Sequence, residues 1–158
     1  GMNCGTHANS DKELLSAKIV LADGTRLNTG APESRMTFEK NHTPFLNKII
    51  EIRDEIRNDN ELSDRIRKKY SIKNVTGLNL LPFVIYDDPF DIIAHLMVGS
   101  EGTLAFLSEV TMKTEHDYPY SASAMLYFSN IKDACRAVVA MKPGPVFSAE
   151  LLDKKSLA

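Results

Sequence analysis

Between Val98 and Leu107 the chain reads Val-Gly-Ser-Glu-Gly-Thr-Leu-Ala-Phe-Leu. Gly99 and Gly102 flank a hydroxyl residue, Ser100, and a carboxylate, Glu101. Glycines at this spacing let the backbone bend tightly and bring its own amides close to a flat or charged ligand. Asp88 to Val98 places Ile92, Ile93, Leu96 and Met97 on one helical face. Leu104 to Thr111 is apolar and β-branched, as a strand is. The order is thus helix, glycine-rich turn, strand. A dinucleotide-binding or P-loop site needs strand, turn, helix, so that phosphate meets a helix N-terminus. No Gly-Lys-Ser/Thr follows the turn, and both of those motifs are excluded.

The elements that must position this turn read as follows. Ser16 to Leu21 alternates, Asp23-Gly24 signals a hairpin turn, and Arg26 to Asn28 is the returning strand. Phe45, Ile49, Ile52 and Ile56 fall at helix spacing, with Thr43 as N-cap and Pro44 at the first helical position. A second helix spans Leu62 to Tyr70. Its basic end, Arg65, Arg67, Lys68 and Lys69, complements the helix dipole or binds phosphate, with Glu61 and Asp64 offsetting the charge. Lys73 to Pro82 reads as a loop around Gly77. Beyond the turn, Ser123 to Ser129 reads as a strand, Asn130 caps a helix from Ile131 to Met141, and Val146 to Leu151 reads as a further strand. The sum is an α+β fold, a mainly antiparallel sheet with helices packed on one face.

The run from Gly99 resembles the GSEGTLG signature of the FAD-linked oxidases of the vanillyl-alcohol-oxidase type, which share a PCMH-type FAD-binding domain. The D-lactate dehydrogenase and glycolate oxidase subunit branch is the nearest in pattern. Lys73-Asn74-Val75-Thr76-Gly77-Leu78-Asn79-Leu80 is similar to that family's KN-x-x-GYDL segment. Ala17 to Thr25 is similar to its VVLADGT hairpin, and Gly1 to Thr6 to the end of its NASGM-x-CGT stretch. Ser148 to Leu157 resembles AVELMDRASL, the start of the substrate-binding domain. The matches are collinear along nearly the whole chain, with Glu33 to Ile72 the least diagnostic part. Two positions depart: Leu78-Asn79 replaces Tyr-Asp, and Ala105 replaces the last glycine of the signature.

The resemblance implies that residues 1–142 form the second subdomain of an FAD-binding domain and that 143–158 begin the substrate domain. It implies cofactor contact at Glu101, Gly102, Thr103, Leu104, Ala105, Phe106 and Leu107, mostly through backbone groups, with Gly99 and Ser100 shaping the approach. Asn74 and Gly5 are weaker candidates. Catalytic and metal-binding residues of the family lie in the later substrate domain, so none is assigned here. The implied activity is oxidation of a 2-hydroxy acid such as D-lactate or glycolate. This chain supplies one wall of the FAD site and, without the other subdomain, is expected to be inactive. The competing reading is a catalytically inactive domain that self-associates or pairs with a complementary chain.

Composition bounds these readings. The 158 residues are 43% apolar and 25% charged, ordinary for a globular chain, and a formal charge of −2 gives no footprint for nucleic acid or an anionic membrane. No apolar run reaches the ~20 residues of a membrane span, and no signal-peptide pattern opens the chain. A cytoplasmic location is expected, with membrane association only through a larger parent protein. Cys4 and Cys135 lack metal-ligand spacing, and Cys135 is expected to be a buried small hydrophobe. His95 is expected at the core edge, while His7, His42 and His116 have no partner at metal-ligand spacing. Ser100 lacks the nucleophile elbow, which needs a preceding strand.

Overall fold

The computed structural model describes residues 9–72, 77–114, 116 and 118–156. The segments Gly1 to Thr6 and Lys73 to Thr76, with Cys4, Gly5, His7 and the candidate Asn74, lie outside the described residues, as does Leu157. The chain divides into two compact units, one built on Thr6–Thr114 and the other on Glu115–Ala158 with Gly1–Gly5.

In the Thr6–Thr114 unit a short helix, α1 (Ser10–Glu13), leads into β1 (Leu14–Val20) and β2 (Arg26–Asn28). Asp23 accepts the Thr25 amide and Gly24 takes φ +86°, so the expected Asp-Gly turn closes this hairpin. A third strand, β3 (Phe106–Met112), pairs antiparallel with the other side of β1, giving the order β2-β1-β3. Four helices complete the unit: α2 (Pro32–Asn58), α3 (Asn60–Lys69), α4 (Leu81–Ile85) and α5 (Pro89–Leu96). α5 packs on β1 and α2 on β2. The architecture is therefore α+β, with helices against an antiparallel sheet. Alternation in β1 decides which face they cover. Ala17 and Ile19 are buried with Leu27 of β2, whereas Lys18 points to the open face.

The helix expected to start at Thr43 is instead the second half of α2. Pro44 has no N–H and crowds the preceding turn, so a helix can pass through it only by bending. The bend falls at His42, whose φ −131° and ψ 30° leave the helical region. Thr43 is not a cap: its hydroxyl donates back to the Glu39 carbonyl. The bend also turns the buried face. Phe38, Leu46 and Ile56 are buried, while Phe45, expected on that face, is exposed. Phe38 stacks on His42 at 4.6 Å and meets Phe45 and Phe90 edge-on at 5.9 and 6.1 Å.

Three arginines of α2 hold the segment that leads into α5, Arg53 among them through the Asp87 carbonyl. Arg57 donates to the carbonyls of Phe83 and Tyr86 and to the Asp87 carboxylate. Its guanidinium keeps the Asp87 carboxyl below the usual carboxylate range. Arg35 donates to the Thr29 carbonyl and pairs with Asp88 and Asp91, its guanidinium lying over the Phe90 ring. Pro82, expected in a loop, lies in α4, whose first turn is supported by Asn79 accepting the Leu81 amide.

In the second unit the helix α6 (Ile131–Met141) starts as expected, with the Asn130 side chain accepting the Asp133 amide. The strands expected over Ser123 to Ser129 and Val146 to Leu151 do not form; both segments are without regular secondary structure. An alternating sequence becomes a strand only when a ladder partner satisfies its backbone, and none pairs with these segments among the described residues. Cys135 is exposed rather than buried, because α6 carries no buried residue. No helix of the described residues is long and apolar enough to cross a membrane.

Candidate functional site

The glycine-rich turn is fixed from both ends. α5 is capped at its start by Asp88, whose side chain accepts the Phe90 amide, and it buries Ile92, Ile93 and Leu96. His95 is also buried, as expected of a core-edge imidazole. Its Nδ1 is 2.8 Å from the Asp91 carbonyl oxygen and its ring stacks on Tyr86 at 4.2 Å. Burial of Tyr86, with Asp11 and Asp91 nearby, pushes its phenol above the ordinary value. After α5 the chain leaves the helix through Gly99, at φ +82°.

The turn is held by its own hydroxyls. Ser100 is buried, and its amide and hydroxyl both donate to the Met97 carbonyl, at 3.2 and 2.9 Å. The Thr103 amide and hydroxyl then both donate to the Ser100 carbonyl, at 2.9 and 2.6 Å. Both hydroxyls are thus spent on the backbone. The Glu101 and Gly102 amides have no hydrogen-bond partner among the described residues. Both residues are exposed, with φ +51° and +77°. A Cβ on Gly102 would meet nothing within 4 Å, so this glycine serves conformation rather than clearance.

Glu101 is the one non-glycine residue with positive φ among the described residues. The left-handed region costs an L-residue about 1–2 kcal/mol, part of which a glycine would return to the flexible unfolded chain. Glu101→Gly is therefore expected to raise stability by about 0.5–1 kcal/mol. Urea unfolding of the two proteins checks this. A loss of stability would show that the carboxylate has a structural partner.

Of the residues expected at the site, Gly99, Glu101, Gly102, Thr103 and Leu104 form one exposed ridge, continued by Phe106 and Leu107. Ala105 is different. It is buried and belongs to the core, so its methyl has an apolar environment within the unit. Phe106 is 70% exposed and Leu107 42%, an apolar edge beside the unpaired amides. Leu78 and Asn79 are in local use: the Leu78 carbonyl accepts the Tyr70 hydroxyl and Asn79 supports α4. The basic end of α3 is exposed. Among the described residues, no three histidine, cysteine or acidic side chains converge as a metal site would require. Comparison with protein-family models, curated proteins and solved structures gives no match.

Proposed function

We propose that the Gly99–Leu107 ridge forms one wall of an FAD site in an oxidoreductase acting on a 2-hydroxy acid such as D-lactate or glycolate. The observation that carries this reading is the pair of unpartnered amides on the left-handed residues Glu101 and Gly102, beside exposed Leu104 and Phe106. Successive outward amides suit the oxygens of a diphosphate, and apolar side chains suit the flat faces of a ring system. The Glu101 carboxylate suits the hydroxyls of a ribose, as an acidic residue does in other dinucleotide sites. The residues present thus fit the cofactor's adenosine and diphosphate side. FAD would supply the hydride acceptor, and this chain's part is to bind and orient it.

One wall buries only part of a ligand, whereas a tight small-molecule site encloses most of its surface. The chain alone is therefore expected to bind FAD weakly and to show no turnover of D-lactate or glycolate with a dye acceptor. Flavin fluorescence quenching and thermal shift check this. Tight stoichiometric binding, or turnover by the isolated chain, would overturn the one-wall reading.

A further inference from the structure

We propose that β3 is a docking edge for a second copy of this chain, the two β3 strands pairing antiparallel about a two-fold axis at Thr111. β3 has β1 on one side and no ladder partner on the other among the described residues, and all seven of its residues are exposed. An edge of this kind offers a row of unpaired amides and carbonyls to another strand.

The backbone phase selects which residues pair. The Lys113 amide donates to the Glu13 carbonyl across the β1 side, at 2.8 Å. Of the two irregularities in the β1–β3 ladder, the one between the Glu109 and Leu107 pairings puts its extra residue on β3. The one opposite Thr111 and Met112 puts its extra residue, Leu15, on β1, so β3 itself runs without an inserted residue from Glu109 to Lys113. With a period of two, Val110 and Met112 turn their amides and carbonyls to the open edge. The side chains sort in the same phase. Glu109 and Thr111 share the open face with Ser16, Lys18 and Asn28, while Val110 lies opposite buried Ala17 and Met112 opposite buried Leu14.

A two-fold axis at Thr111 sets Val110 against Met112 of the second copy, with each such pair exchanging N–H···O bonds. On the open face it sets Thr111 against Thr111, and Glu109 against Lys113 of the second copy. Cross-strand apolar, threonine and opposite-charge pairs are each stabilising, and like charges directly opposite are not. The axis at Glu109 puts two carboxylates face to face. The axis at Val110 puts Lys113 opposite Leu107 and leaves Glu109 without a cation from the second copy. Charge complementarity therefore selects the Thr111 register, in which Glu109 lies between its own Lys18, 2.8 Å away, and the incoming lysine. The pairing spans Glu109 to Lys113 and leaves Phe106 and Leu107 outside it, so it does not depend on the flavin reading.

Sedimentation of the full chain with Cys4 and Cys135 replaced by serine is expected to show a concentration-dependent dimer. Directly opposed residues of a non-hydrogen-bonded pair lie about 4.5 Å apart at Cα, within disulfide reach. Thr111→Cys in that background is expected to give a covalent dimer on mild oxidation, and Glu109→Cys is not. Glu109→Lys and Lys113→Glu are each expected to weaken the dimer about tenfold and together to restore it, each tenfold being about 1.4 kcal/mol. This swap decides the matter if the cysteine variant does not fold. A monomer at all concentrations, equal cross-linking at both positions, or a swap as weak as its single variants would overturn the proposal.

Discussion

Phe38→Ala is expected to remove about 3–5 kcal/mol from the stability of the Thr6–Thr114 unit, the cost of truncating a fully buried aromatic. Phe38 is 2% exposed and lies one turn before the bend in α2. Its ring touches His42 at the bend, Phe45 beyond it and Phe90 at the start of α5. One side chain thus fixes both the angle of the bend and the seat of α5, which carries the glycine-rich turn. Alanine leaves a cavity bounded by rings that cannot all move to fill it. The midpoint temperature is expected to fall by on the order of 10 °C. Phe38→Leu keeps most of the apolar volume and is expected to cost less than half as much. Met36 is 70% exposed, and Met36→Ala is expected to stay within about 0.5 kcal/mol of the parent. Guanidinium unfolding of the three variants measures the differences, and a Phe38→Ala loss as small as that of Met36→Ala would contradict the packing described.

Ile92→Ala is the second large effect, about 3 kcal/mol. Ile92 is 0% exposed, in the middle of α5, which packs on β1. Ile92→Val removes one methyl group and is expected to cost about 1 kcal/mol. The alanine variant should also loosen the turn. The Ser100 hydrogen bonds run to the Met97 carbonyl, immediately after α5, and those of Thr103 to the Ser100 carbonyl, so a poorly seated helix no longer holds them in register. Hydrogen exchange of the Ser100 and Thr103 amides is expected to accelerate in Ile92→Ala more than in Ile92→Val. Unchanged exchange at both amides would mean that the turn is held independently of the helix.

The elements nearest the site were the most legible, because each carries a complete local signal. Asp23-Gly24 fixes the β1–β2 hairpin, Asp88-Pro89 starts α5, and Gly99 ends it with a positive φ. Asn130 likewise marks the start of α6 through a side-chain cap that needs nothing from elsewhere in the fold. Pro44 misleads by the same logic. Thr-Pro is a good helix start, but Phe38 packed against Phe90 stabilises a helix on both sides of it, and the proline becomes a bend. The segments over Ser123 to Ser129 and Val146 to Leu151 show the complementary limit: alternation names a face for a strand but does not supply the partner that makes one.

At the site, spacing alone located the turn but not the fate of its side chains. Ser100 and Thr103 carry hydroxyls that a sequence cannot distinguish from ligand contacts; the fold spends both on the backbone. Ala105, expected among the cofactor contacts, instead enters the core. The strain at Glu101 was invisible, since glutamate carries no signal for a left-handed conformation.

Amide mapping by 15N–1H spectra during titration with FAD tests the central reading most directly. Shifts are expected at the Glu101 and Gly102 amides first, spreading to Leu104, Phe106 and Leu107, with adenosine diphosphate reproducing those at Glu101 and Gly102. No shift along the ridge at millimolar FAD, or shifts confined to another surface, would contradict an FAD wall at Gly99–Leu107.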